Sequence, residues 1–218
     1  MRKLAAVALL ALIATGAALA GAALAASGDP QKHYTPADTA KAKSVVLKLP
    51  DLPAGWAGKK SAGGGGHLQC KGFKPDESDL TKTGNADSFD FSKGLYFINS
   101  SASIFRSKAQ AQASWDRVVR PGLLTCLRSI FEKGASSSGS TTTATGQGAL
   151  AFPKLAPRTA AFRITFQTKS GAQTLNGDID VVLLGNNRID SVMLFVGFGT
   201  PNGALEQHLA GVVAARMR

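Results

Sequence analysis

Two groups of residues in this chain have the types and spacing to do chemistry. One is a His-x-x-Cys pair, His67 and Cys70, behind the glycine run Gly63–Gly66; the other is a carboxylate pair, Asp178 and Asp180. The glycine run lacks the Lys-Ser/Thr step and the following helix that a phosphate-cradling loop needs, so a nucleotide loop is disfavoured. His67 and Cys70 are too few for a metal, because His33 and His208 lie far off without ligand spacing. No metal and no cofactor is expected. Asp178 and Asp180 fall on one face of a strand, where paired carboxylates can do acid–base work. Their expected state is nonetheless a solvated face. The acidic run Asp76-Glu77-Ser78-Asp79 lacks the calcium-loop pattern. No Gly-x-Ser-x-Gly elbow occurs, and the sequon at Asn99 sits inside a strand pattern. No catalytic residue is assigned, and the chain reads as a non-enzyme.

What Cys70 is for depends on compartment. Residues 1–26 carry Arg2 and Lys3, then an uncharged apolar run and the small-x-small step Ala23-Leu24-Ala25, the pattern of a secretory signal cleaved near Ala26. The alternative is an uncleaved anchor over Leu4–Ala25, the one route by which this chain would meet a membrane. Either way the rest faces an oxidising space, where Cys70 has one partner, Cys126, and a disulfide is expected. It would close a loop of about 57 residues and stabilise by roughly 4 kcal/mol in the chain-entropy model. With Arg2 and Lys3 removed, 25 basic residues become 23 against 14 acidic, a net charge of +9. Such a balance suits anionic envelope polymers. The positives are scattered, and neither export nor any aromatic-basic motif favours nucleic acid.

The elements that must position these groups are legible from period and caps. Residues 27–34 read as a polar linker, and 35–218 as a single domain. Thr35 before Pro36 is an N-cap signal for a short helix to Leu47. Pro50 and Pro53 then forbid a regular element before Trp56. Asp79–Phe91 alternates imperfectly; Leu95–Arg106 is a better strand, joined to it by the turn at Gly94. Ser107 opens a helix with Ala111, Trp115, Val118 and Val119 on one face, and Pro121 opens a second, capped by Gly134. The Ser/Thr-rich 135–150 stretch reads as an exposed edge strand. Strands follow near Leu150–Leu155 and over Arg158–Lys169, Gln173–Leu184 and Arg188–Val196, with tight turns at Lys169–Gln173 and Leu184–Arg188. A last helix begins at Thr200-Pro201, with Leu205, Leu209, Val212 and Val213 inward. Tight turns imply antiparallel pairing, so the fold is α+β: an antiparallel meander covered by helices, with one disulfide. The aromatic side chains of the sheet read first as core; on the alternative reading Trp56, Phe97, Phe105, Trp115, Phe162, Phe166, Phe195 and Phe198 are candidates to line a cleft between sheet and helices, with Gly197, Gly199 and Gly203 leaving backbone room.

The order of these features carries a resemblance. A helix leads to LPDLPAGW (49–56), then Cys70, an aromatic strand, SIFRSKAQAQASW (103–115), Cys126 in the next helix, a meander and a terminal helix. This resembles the PknH-like extracellular sensor domains of bacterial serine/threonine kinases and their free-standing secreted relatives, over most of residues 36–217. The resemblance implies an α+β sheet with a cleft for an extracellular ligand. The chain departs from the kinase-linked form in having one cysteine pair rather than two, no kinase and no lipoprotein cysteine, and no functional residue is carried over. The expected function is an envelope binding or sensor-like module that captures an apolar or anionic small molecule, lipid or cell-wall component. The alternatives are an interaction protein using its basic surface, or a hydrolase whose residues are dispersed.

Overall fold

The computed structural model describes residues 28–61, 68–135, 140–199 and 201–218. The signal sequence expected over 1–26, His67 with its glycine run, and Thr200 lie outside the described residues.

The described residues form four α-helices and nine strands: β1 Gln31–Lys32, α1 Pro36–Val45, β2 Ala57–Lys59, β3 Thr81–Asp87, β4 Asp90–Lys93, β5 Tyr96–Phe105, α2 Lys108–Val118, α3 Leu123–Ala135, β6 Ser140–Ala149, β7 Arg158–Ser170, β8 Gln173–Asn186, β9 Ile189–Phe198 and α4 Gly203–Arg216. The strands form one sheet in the order β1-β3-β5-β9-β8-β7-β6, with β4 and β2 attached beside β5. The meander expectation holds for β6 to β9, which pair consecutively and antiparallel. Two corrections concern the rest. The sheet is mixed, because β1 runs parallel to β3. The linker expected over 27–34 is, across its described part, bonded into the fold through that strand: the Gln31 amide donates to Leu80 O and the His33 amide to Lys82 O.

Period-2 alternation divides the apolar residues between two faces, and helices cover both. On β8, Val182 and Leu184 turn to one side and join Met193, Phe195 and Ile98 beneath α1 (Ala42, Val45) and α4 (Leu209, Val213). Ile179, Val181 and Leu183 turn the other way and meet Ile164, Phe166 and Phe198 beneath α2 and α3 (Trp115, Leu124, Leu127, Phe131). The molecule is a three-layer sandwich in which β8 is buried on both faces from Ile179 to Gly185, whereas β9 leaves Val192 exposed. Burial on both faces is why β8 reads there as a near-continuous apolar run.

Local signals account for most boundaries. Thr35 caps α1 by accepting from the Asp38 amide (3.1 Å), and Ser107 caps α2 by accepting from the Gln110 amide (3.2 Å). Asn202, rather than Thr200 or Pro201, caps α4 by accepting from the Leu205 amide. Gly134 does not cap α3, which runs on to Ala135. The strand expected near Leu150–Leu155 does not form: Pro153 and Pro157 withhold donors, and Leu150, Phe152 and Leu155 pack on the core from irregular chain instead. The 135–150 stretch does supply the edge strand, β6. Close contact fixes one glycine: a Cβ on Gly84 would stand 2.4 Å from the Asp38 carbonyl oxygen, so α1 rests directly on the backbone of β3.

Candidate functional site

Cys70 and Cys126 are joined in a disulfide, with Cα atoms 5.4 Å apart. Cys70 pairs with Phe73 through two main-chain hydrogen bonds of 2.9 Å, forming a tight turn. The bridge packs that turn against Leu123 at the start of α3, in a small apolar cluster with Phe73, Leu68 and Val118. Its role is to fasten the chain after the glycine run to the helical layer. His67 lies outside the described residues, and among the described residues no three His, Cys, Asp or Glu side chains gather to hold a metal.

The aromatic candidates do not line one cleft. Trp56 and Phe195 belong to the α1/α4 face and border a narrow cleft, with about 20 Å³ of free space, at the N-terminal end of α4, where Phe97 also contributes. Phe105 is buried with Leu80 and Ala111 near α2. Trp115, Phe162, Phe166 and Phe198 lie on the opposite face of the sheet, in the core under α2 and α3, where Phe166 stacks edge-on to Phe198 (centroids 5.3 Å apart). The physical reason is alternation: Phe195 and Phe198 are an odd number of residues apart on one strand, so they point to opposite faces.

The cleft that does form is built from β5, β9, β8 and the first turn of α4. Register places Ile98 opposite Phe195, Phe195 opposite Asp180, and Tyr96 opposite Gly197 opposite Asp178. Alternation then sends Tyr96, Ile98, Phe195, Asp178 and Asp180 to the α4 side. Pro201, Asn202, Leu205 and Glu206 close the cleft from the helix, and Trp56 stands at its edge. Gly197 is required here, because a Cβ would lie 2.7 Å from the Tyr96 ring.

Carboxyl groups supply its polar content. Asp178 and Asp180 share one face as expected, but the solvated reading fails for Asp180, which is 1% exposed. Arg163, directly across on β7, compensates it through a two-pronged ion pair, with Nε donating to Oδ1 at 2.7 Å and Nη2 to Oδ2. Glu206, a residue the sequence reading passed over, is 6% exposed and hydrogen-bonded to Asp180. Burial pushes its carboxyl up to about 8, with the negative charge of Asp180 as the next cause, so Glu206 keeps its proton at neutral pH. Burial also raises Asp178, against the pull of Arg163. The signal that could have found Glu206 is its position: one residue past Leu205 and three before Leu209, it falls on the buried stripe of α4. A protonated carboxyl beside a carboxylate can donate and accept hydrogen bonds, and it sits among aromatic and aliphatic walls.

A second polar network lies under α2. Arg158 donates to Asp190 (2.8 Å) and to two main-chain carbonyls, and Ser114 bonds Glu77. Burial raises Asp190 to about 6. Through Gln112 and Ser114 the network docks α2.

No family model matches the chain, and no curated protein matches it. Among solved structures it is similar to the extracellular domain of PknH from Mycobacterium tuberculosis, at 13% identity over 62% of this chain and 64% of that one, with a TM-score of 0.37. The matched part spans less than two thirds of that domain, and the likeness is loose. No helix among the described residues is long and apolar enough to cross a membrane.

Proposed function

We propose that this chain is an extracytoplasmic, disulfide-bonded binding module of the cell envelope that takes a small ligand in the cleft between α4 and strands β5, β9 and β8. The observation that carries the reading is the cleft itself, with walls of Trp56, Tyr96, Phe195 and Leu205 and a base of Asp178 and Glu206. Concave, mostly apolar sites with a few convergent polar groups are the usual form of small-molecule pockets. The signal sequence and the disulfide support export, since such bridges persist in oxidising compartments.

The electrostatics narrow the occupant. Three carboxyl groups face one guanidinium, and that guanidinium is held by Asp180. Of the ligands expected from the sequence, an anion is the least suited; a neutral molecule with an apolar face and hydroxyl groups, such as a cell-wall sugar or a lipid glycoside, matches the chemistry of the rings and the carboxyls, and its entry requires the first turn of α4 to move aside, because the free space is about 20 Å³. The basic exterior serves separately, in attraction to anionic envelope polymers. Mass spectrometry of the secreted protein under native and then denaturing conditions tests the reading. A bound small molecule lost on denaturation, and absent from a Trp56→Ala variant, is the expected result. Equal masses in both conditions, with no binding to envelope glycans or glycolipids by calorimetry, would refute it.

A second reading is favoured by one observation. A protonated Glu206 beside an aspartate ion-paired to Arg163 is the division of labour used in acid–base hydrolysis. If the chain is a hydrolase, turnover of an envelope glycan is lost in Glu206→Gln while binding remains.

A further inference from the structure

The two ends of α4 are held by different chemistry. At the C-terminal end, Arg216 makes a bidentate ion pair with Asp51 (2.7 Å for each bond) and donates to the Val46 carbonyl at 3.1 Å. Lys41 of α1 donates to the Arg216 carbonyl at 2.8 Å. Against the upward push of burial, the ion pair with Arg216 and the Lys48 amide hold the Asp51 carboxyl below its ordinary range.

Among the described residues no such clamp holds the N-terminal end. Its buried polar contact is between two acids, Glu206 on the helix and Asp180 on β8, with Asp178 alongside. The charged groups acting on Glu206 are those two aspartates on β8 and Arg163 on β7; β9 presents Phe195, and Tyr96 of β5 lines the same cleft. Arg163 is committed to Asp180 through both prongs of its guanidinium. A second negative charge at Glu206 therefore meets two carboxylates with one cation between them. The helix enters from Gly199, whose φ of 95° is left-handed, and from Pro201. Its first turn is also the wall of the cleft, through Pro201, Asn202, Leu205 and Glu206.

We propose that the first turn of α4 is a proton-controlled lid: with Glu206 carrying its proton it lies closed against Asp178 and Asp180, and loss of that proton releases it and opens the cleft. The proton leaves the Glu206 carboxyl for solvent hydroxide or buffer base, and no covalent bond is made or broken in the chain. The lid is a property of the unliganded protein and stands or falls independently of what the cleft binds.

The closed state favours the protonated form, so by linkage it is most stable in acid and weakens as pH rises from the ordinary carboxyl range toward about 8. With the opened glutamate titrating normally near 4.5, opening should increase on the order of 10- to 100-fold between pH 6 and pH 9. Hydrogen exchange of the native chain measures this, corrected for the intrinsic pH dependence of amide exchange and read on peptides from the two ends of α4. The expected result is faster opening in the first turn, with the Arg216 end and β8 unchanged. Glu206→Gln, which keeps a neutral donor for Asp180, should remove the pH dependence and leave the lid closed. A first turn whose opening is flat with pH, a Glu206→Gln profile that matches the native one, or an equal rise throughout the chain would each overturn the lid. If the variant does not fold, carbon-13 NMR of the native Glu206 carboxyl decides instead: a midpoint near 8 sustains the proposal, and one near 4.5 ends it.

Discussion

Replacing Arg163 with leucine removes the one cation from the carboxyl cluster and leaves the backbone of β7 unchanged. The two members of its ion pair are unequally placed: the Arg163 side chain is 30% exposed, whereas that of Asp180 is 1% exposed. Breaking a buried pair by deleting one partner costs about 3–5 kcal/mol, because the remaining charge is left without compensation. The asymmetry makes the two deletions differ. Without Arg163, a buried aspartate must stay charged beside Asp178 and Glu206, or take up a proton, so the upper part of that range applies. Without Asp180, as in Asp180→Val, the guanidinium can turn to solvent, so the cost should fall to about half or less. The double variant, with apolar side chains at both positions, should recover most of the loss. For a domain of this size 1 kcal/mol moves Tm by about 2–4 °C, so Arg163→Leu should melt about 8–20 °C below the native protein at pH 7. Calorimetric melts of the three variants form the cycle. A loss under about 1 kcal/mol in Arg163→Leu, or a double variant no better than the worse single, would refute the claim that the buried carboxylate depends on this guanidinium.

Other consequences are quickly checked. Reducing the Cys70–Cys126 bridge, or replacing both cysteines with alanine, should lower the free energy of unfolding by roughly 4 kcal/mol in urea titrations, since the bridge spans 56 residues of chain. Asp190 should titrate near pH 6 by carbon-13 NMR, because burial favours its neutral form even beside Arg158. A folded-state value raised above the usual 3.8 means that its contribution to stability is full below about pH 3.8 and is lost as pH rises to about 6; a flat profile over that window would contradict the burial assigned to it. Gly84→Ala puts a Cβ against the Asp38 carbonyl at 2.4 Å and should cost about 1–3 kcal/mol by lifting α1 from β3, seen as a lowered denaturation midpoint.

The chain by itself determined the local features that depend on few residues. Thr35 and Ser107 marked true helix starts because capping is a contact between neighbours along the chain. The hairpin turns at Gly171 and Asn187 were legible because their left-handed backbone (φ 55° and 51°) selects glycine or asparagine. The alternation in 158–198 specified three strands and their pairing. The disulfide followed from having two cysteines in a chain whose first 26 residues read as an export signal. Tertiary structure decided what no local rule contains. Which face of the sheet α1 and α4 would cover, and which α2 and α3, divided the aromatic residues into two cores, so that eight candidates for one cleft became three at its border and five elsewhere. The pair Asp178 and Asp180 was visible as a spacing, but their fate rested on Arg163 from β7 and Glu206 from α4, 17 and 26 residues from Asp180 in the chain. Burial sets whether a carboxyl keeps its proton, and burial is a property of the packed molecule, not of the residue.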